Sequence, residues 1–105
     1  MANFYKLYLD DERIPKYEGW TIVRTVEDFK GIIEILGLPD EISLDHDLGE
    51  NVPDGYDAVK WLVNEKEFDL RKTKINYHTA NPVGKDNMKG LIKSWNNFLD
   101  KNENI

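Results

Sequence analysis

Residues 43–49 read Ser43-Leu44-Asp45-His46-Asp47-Leu48-Gly49, a heptad in which two carboxylates flank an imidazole. The apolar run at residues 42–44 predicts a buried strand, so the Asp-His-Asp triplet lies where that strand ends. Open α/β sheets bind their ligands at this carboxyl edge, which makes the triplet a candidate site. The alternative interpretation is a polar turn, in which the aspartates cap backbone groups and the glycine supplies a left-handed residue.

Two further predicted strands also end in polar clusters. Residues 5–9 alternate as a first strand and lead into Asp10-Asp11-Glu12-Arg13, and residues 73–77 lead into His78-Thr79-Ala80-Asn81. Parallel strands bring their carboxyl ends to one edge of a sheet, so the three clusters are expected to meet there. Both histidines of the chain lie in these clusters.

The remaining patterns predict one more strand and three helices. The strand covers residues 20–24, and the helices begin at Thr25 as an N-cap, at Asp54 and at or near Pro82. Gly37 and Pro39 are expected to end the first helix. The second helix is expected to run to about Lys66, with Trp61 on the side opposite its apolar stripe. There Trp61 would cover a neighbouring element or contact a partner. We therefore predict a single α/β domain, residues 1–105, with a mostly parallel four-stranded sheet and a frayed tail from about residue 100.

Composition and charge narrow the functional classes. The 105-residue chain has no cysteine, which leaves any metal site to oxygen and imidazole ligands. Its net charge is −6, and the segment 40–57 holds seven carboxylates and no Lys or Arg. General duplex DNA binding is not expected, because the chain has no basic stripe. No leader or membrane-length apolar run is visible, so we expect a cytoplasmic protein without a membrane partner.

The acidic residues at the strand ends are suited to a divalent cation. Asp10, Asp11 and Asp45 would form a pocket of hard oxygens for Mg²⁺ or Mn²⁺. Asp47 would add a fourth carboxylate, or its side chain would orient His46. The alternative is a surface loop in which Asp10 and Asp11 only cap a short helix.

The two imidazoles indicate acid–base chemistry on a phosphodiester. One histidine would accept a proton from water and the other would donate one to the leaving alkoxide, so the candidate catalytic residues are His46, His78 and Asp45. Other residues are candidates to bind phosphate oxygens or to neutralise an anionic ligand. They are Arg13, Thr79, Asn81 and Lys85.

A set of short motifs carries a family resemblance. An Asp-Asp pair follows the first strand (Asp10, Asp11), an Asp follows the third (Asp45), an Asp-Gly pair starts the next helix (Asp54, Gly55), and Thr79-Ala80 follows the fourth. This pattern resembles receiver domains. More closely, the segments 7–13, 43–49, 55–57 and 78–84 look like the cyclic-phosphate-processing receiver-like family, over about residues 7–92.

The resemblance implies a small receiver-like, flavodoxin-like fold of three layers and an activity on cyclic phosphates. Signalling receivers continue into a fifth strand, bearing a phosphate-binding lysine, and a last helix, and the chain lacks both. Lys85 lies in a different element from that lysine. The first receiver helix is reduced here to the loop around residues 15–19.

These observations combine into one hypothesis and two alternatives. The hypothesis is a metal-dependent phosphodiesterase that hydrolyses a cyclic phosphate of a nucleotide signal or an RNA end. The first alternative is a non-catalytic module that sequesters a cyclic nucleotide, and the second is a receiver switch phosphorylated on Asp45. The expected partner is a phosphorylated small molecule or RNA end, and a homodimer through Trp61 or the basic final helix stays open.

Overall fold

The computed structural model describes residues 4–103, in which short strands alternate with helices. The predicted small α/β fold is confirmed, with four strands and three helices in these residues. In chain order the elements are β1 (Lys6–Leu9), β2 (Trp20–Val23), α1 (Val26–Leu36), β3 (Glu41–Leu44), α2 (Gly55–Lys60, continued by a π-helical segment, Trp61–Glu65), β4 (Lys74–Tyr77) and α3 (Pro82–Glu103).

The sheet is entirely parallel, with the strand order β2-β1-β3-β4. Leu9 pairs with Leu44, and Leu44 pairs with Tyr77, so the three strands end level with one another. Two backbone bonds continue the ladder past these ends, from Asp45 N–H to the Leu9 carbonyl and from His78 N–H to the Leu44 carbonyl, each 3.0 Å long. The residues that follow the strands therefore emerge side by side.

Alternation along the strands gives the sheet two chemically different faces. Leu7, Leu9, Ile42 and Leu44 are fully buried in one cluster with side chains of α1, α2 and α3. We call this the helix face. Tyr8 and Ser43 lie between these residues in sequence and point to the opposite face, because successive strand side chains alternate.

The opposite face is covered by a loop where signalling receivers have their first helix, as the sequence indicated for residues 15–19. The crossovers from β2 to β3 and from β3 to β4 run in one direction, so right-handed connections place α1 and α2 on the same side. The connection from β1 to β2 runs the other way and crosses the opposite face. This connection, residues 10–19, contains no helix within the described chain, and it forms a groove with Ile22. The third layer is thus an irregular segment rather than helices.

Helix α1 has the limits that its sequence predicts. The Thr25 hydroxyl oxygen accepts a hydrogen bond from the Asp28 N–H at 3.1 Å, which satisfies one of the free donors of the first turn. At the other end Gly37 has a positive φ of 87°, and its N–H donates to the Ile33 carbonyl at 2.8 Å. Polar side-chain chemistry and glycine therefore define both ends of this helix.

The Thr25 cap gives a direct test of this local stability. Replacing Thr25 by alanine is expected to lower the free energy of unfolding by about 1 kcal/mol, because the Asp28 N–H loses its acceptor. Urea denaturation followed by circular dichroism measures the change. Thr25→Ser keeps the hydroxyl and is the control, so equal losses in both variants would contradict a capping role.

The second helix departs from its prediction after Lys60. A capping box joins Asp54 and Asp57 at its start, but the segment Trp61–Glu65 is π-helical, and the Lys66 N–H donates to the Trp61 carbonyl five residues earlier. The wider turn leaves three consecutive residues buried, Trp61 among them. Trp61 is 5% exposed and packs against Phe29 and Phe68, so it covers a neighbouring element, which is one of the two alternatives that the sequence left open.

Helix α3 remains helical beyond the point where we expected the chain to fray. It continues to Glu103 because Arg71 pairs with Asp100 at 3.0 Å and with Glu103, which ties the last turn to the loop before β4. Residues 104 and 105 of the predicted tail lie outside the described residues. Among the described helices, none combines the length and the apolar character that a membrane crossing requires.

Candidate functional site

Three carboxylates converge where β1 and β3 end. Asp10 and Asp45 each follow a strand by one residue, on the opposite face of the sheet, and Asp11 is next to Asp10. Oxygens from the three side chains lie within 4.8 Å of one another. Asp10 is 1% exposed and Asp45 is 4% exposed, so two negative charges are buried side by side. Buried like charges require compensation from donors or cations.

Backbone donors hold the two buried carboxylates in place. Asp10 Oδ1 accepts the N–H groups of Glu12 and Arg13, both at 2.9 Å. Asp45 Oδ1 accepts the N–H of His46 at 2.8 Å. Each carboxylate therefore has one oxygen fixed by the backbone, while its second oxygen, Oδ2, faces charged or polar side chains.

Arg13 bridges the two second oxygens. Its Nε lies 2.9 Å from Asp10 Oδ2 and its Nη2 lies 3.3 Å from Asp45 Oδ2, while Nη1 donates to the His78 carbonyl at 3.2 Å. Arg24 holds the backbone of residues 10–13, because its Nη1 donates to the carbonyls of Asp10 (3.1 Å) and Arg13 (2.7 Å). The site thus contains an internal positive charge among its carboxylates.

The pKa of Asp10 reflects these contacts. Burial alone would raise this pKa, but the backbone N–H groups of Arg13 and Glu12, the Arg13 guanidinium and the bond to His78 outweigh burial and hold it below its usual value. Asp10 is therefore ionised at neutral pH and available as an anionic ligand.

His78 is a partly buried member of the same cluster. Its Nε2 lies 3.0 Å from Asp10 Oδ2, its Nδ1 lies 2.7 Å from the Ser43 hydroxyl, and its ring stacks on Tyr8 with a centroid distance of 4.3 Å. Burial lowers its pKa despite the nearby carboxylate of Asp10, which raises it. A neutral ring fits both contacts, since Nε2–H then donates to Asp10 while Nδ1 accepts the Ser43 O–H.

His46 has a different set of partners. Its Nδ1 lies 2.9 Å from Asp47 Oδ1, and its Nε2 lies 3.5 Å from Asp54 Oδ2. A Cβ at Gly84 in α3 would lie 2.3 Å from the imidazole, so the glycine leaves room for the ring. Within residues 4–103, none of the side chains that contact the His46 ring in this way also contacts the His78 ring. The imidazoles of the two predicted clusters therefore belong to two neighbouring contact groups.

A cleft of about 470 Å³ opens beside the carboxylates. Its lining consists of Asp10, Asp11, Glu12, Arg13, Asp45, Asp47, Gly49, Thr79 and Ala80. The structure thus brings most of the predicted metal and phosphate residues to one cavity. This lining is strongly acidic, so an anionic ligand needs a cation between itself and the carboxylates.

The other predicted residues differ in their relation to this cleft: Asp47 and Thr79 line it, whereas Asn81 and Lys85 do not belong to its lining among the described residues. Among residues 4–103, Asp47 does not belong to the group of three carboxylates that could hold a metal ion. Its carboxylate instead forms hydrogen bonds with His46 and with the Asn81 amide. The Thr79 hydroxyl accepts the Asn81 N–H at 3.1 Å, and Asn81 in turn accepts the Gly84 N–H. Lys85 is in the first turn of α3 and is not among the cleft-lining residues of the described chain.

Several residues of the site were not predicted as site residues from the sequence. They are Tyr8 and Ser43, which hold His78, Glu12, which lines the cleft, and Asp54, which contacts His46. Strand alternation could have identified the first two, because each lies two residues before a buried aspartate and so shares its face. No comparable periodicity indicates Glu12 or Asp54, which lie outside the strands.

The donor set fits a hard divalent cation. Oxygen ligands are those that Mg²⁺ and Mn²⁺ prefer, and the backbone bonds to Asp10 and Asp45 orient two of the three carboxylates in advance. The cluster of Asp10, Asp11 and Asp45 could therefore hold a metal ion.

Comparison with protein families places the chain in a known group. A family model described as a cyclic-phosphate processing receiver domain matches residues 5–94 of the 105-residue chain. No curated protein and no solved structure matches the chain significantly. The match covers all four strands, α1, α2 and most of α3, including every residue of the cleft.

Proposed function

The chain belongs to the cyclic-phosphate-processing receiver domain family, and from this premise we propose that it is a divalent-cation-dependent phosphodiesterase. Its substrate would be a cyclic phosphate of a nucleotide signal or of an RNA end. Mg²⁺ or Mn²⁺ would bind at Asp10, Asp11 and Asp45. The observation that carries the proposal is the meeting of these carboxylates with a hydrogen-bonded histidine, His78, beside a cleft.

The acidic cleft supports a role for a cation in substrate binding. Five of the nine lining residues are acidic and one, Arg13, is basic. A cation held by these carboxylates would supply charge neutralisation and Lewis-acid polarisation of a phosphate oxygen. Thr79 lines the cleft, and Asn81 adjoins it through its bond to Asp47, so both can orient the anion.

The reaction is the hydrolysis of one ester bond of the ring. A water oxygen forms a bond to phosphorus, the bond from phosphorus to one ribose oxygen breaks, and the products are a phosphomonoester and a hydroxyl group. One proton leaves the water and one reaches the departing oxygen. His78, next to Asp10, and His46, next to the cleft residue Asp47, are suited to these two transfers in either order.

Product analysis with and without metal tests the proposal. Purified protein is incubated with 2′,3′-cyclic nucleotides and with cyclic dinucleotides, in Mg²⁺ or in EDTA, and the mixtures are separated by chromatography. Metal-dependent product supports hydrolysis. Unchanged ligand recovered from the protein indicates a sequestering module instead, and a stable gain in mass after treatment with a small phosphodonor indicates a phosphorylated receiver.

The proton transfers give a separate prediction. Replacing His46 and His78 together by alanine is expected to lower kcat by about 100-fold or more, the usual contribution of general acid–base catalysis. His78→Gln keeps a polar side chain next to Ser43 and Asp10, so it separates a structural role from proton transfer. Full turnover by the double alanine variant would rule out proton transfer through these imidazoles.

A further inference from the structure

Arg13 contacts the oxygens that a divalent cation at this site would use. The first oxygens of Asp10 and Asp45 accept backbone N–H bonds, which leaves the second oxygens to side-chain partners or a cation. His78 Nε2 also contacts the second oxygen of Asp10, at 3.0 Å. The Arg13 guanidinium contacts both second oxygens, at 2.9 and 3.3 Å. Two cations at one pair of carboxylates would repel each other at short range.

The three side chains differ in their freedom to move. The Asp10 and Asp45 side chains are 1% and 6% exposed and are held by the backbone, whereas the Arg13 side chain is 51% exposed. The Arg13 backbone is itself fixed, because its carbonyl accepts a bond from Arg24 and its N–H donates to Asp10. The guanidinium can therefore swing into solvent while the carboxylates and the loop keep their positions.

We propose that Arg13 is the resident cation of this site, and that a divalent cation binds by displacing its guanidinium from Asp10 and Asp45. The inference rests on the proposed cation site and adds to it an exchange between two positive charges. In the metal-free protein the guanidinium stabilises two buried carboxylates that would otherwise repel each other. The affinity for metal then depends on the difference between two binding free energies, that of the metal for the carboxylates and that of the guanidinium for the same carboxylates.

The exchange predicts opposite effects of one substitution on metal affinity and on metal-free stability. Arg13→Gln removes the competing charge, so its Mn²⁺ affinity is expected to rise by about tenfold, within the usual range of coupling between two binding events. The same variant is expected to melt at a lower temperature than the wild type in EDTA. Saturating Mn²⁺ should close this gap, because the ligand stabilises the tighter-binding variant more.

Calorimetric titration with Mn²⁺ and thermal melting in EDTA or Mn²⁺ measure both effects. Arg71→Gln is the matched control, because it removes the same charge from an arginine that pairs with Asp69, Asp100 and Glu103. Arg13→Lys keeps the positive charge but lacks the planar guanidinium that spans both carboxylates. This variant replaces Arg13→Gln in the experiment if the glutamine variant does not fold. We expect its Mn²⁺ affinity to lie above that of the wild type.

The outcomes separate this inference from the function on which it rests. Equal or weaker Mn²⁺ binding by the Arg13 variants, with clear binding by the wild type, would overturn the exchange and leave the cation site standing. Absence of Mn²⁺ binding in the wild type and in every folded variant would overturn both.

Discussion

Replacing Asp45 by asparagine is expected to abolish cation-dependent turnover and to weaken Mn²⁺ binding by more than about 100-fold. Residues that only orient a metal ligand already contribute about 10- to 100-fold to affinity, so a direct ligand should contribute at least as much. The asparagine also removes the negative charge that faces Arg13 at 3.3 Å. Calorimetric titration with Mn²⁺ and chromatographic assay of a 2′,3′-cyclic nucleotide measure the two losses.

Asp69→Asn is the control for this variant. Asp69 pairs with Arg71, outside the cleft-lining set, so the same carboxylate-to-amide change there should leave Mn²⁺ affinity and turnover unaltered. Circular dichroism establishes that the Asp45 variant is folded. Wild-type Mn²⁺ affinity in a folded Asp45→Asn protein would show that Asp45 is not a ligand.

Replacing Gly55 by alanine is expected to cause the largest loss of stability, about 3 kcal/mol, at the upper end of the cost of overpacking. A Cβ at this position would lie 2.1 Å from the Asp45 carbonyl oxygen and 3.0 Å from Met88 Sδ. The Gly55 N–H also donates to the His46 carbonyl at 2.8 Å, so α2 cannot move away without losing that bond. The strand end that carries Asp45 must shift instead, and we expect Mn²⁺ affinity to fall with stability.

Urea denaturation measures this loss, and Gly31 in α1 provides the matched control. A Cβ at Gly31 would meet no atom within 4 Å, so alanine there should leave stability unchanged or raise it by up to about 1 kcal/mol through its better helix propensity. If the free energy of unfolding of Gly55→Ala lies within about 0.5 kcal/mol of the wild-type value, as is common for surface substitutions, the close approach is wrong.

Much of the fold was predictable because its local chemistry agrees with its tertiary structure. Thr25 and Gly37 mark the ends of α1 in the sequence itself, and the cap and the positive φ are found there. The π-helical turn at Trp61 was not predictable in this way. A backbone N–H in this segment can donate to the carbonyl four residues earlier, as in an α-helix, or five residues earlier, as in a π-helix. Which bond forms depends on how Trp61 packs against Phe29 and Phe68, which lie outside this helix.

The site was predictable to the extent that strand register determines it. Asp10, Asp45 and His78 meet because their strands are parallel and end level, as the clusters in the sequence indicated. His46 is separate because it lies in the bend that follows β3, where its ring contacts Asp47 and Asp54. The bridging position of Arg13 had no such signal, because a long side chain can reach many partners and the sequence does not choose among them.

The two faces of the sheet also determine which changes in chain length the protein tolerates. In β1 and β3 the core residues and the residues beneath the site alternate one by one, so deleting a single residue would exchange the two sets. The apolar side chains would then face the cleft, and the carboxylates would enter the core. Insertions and deletions in the irregular connection around residues 14–19 leave the strand pattern intact. Variation in length among natural or engineered forms should therefore concentrate in that connection.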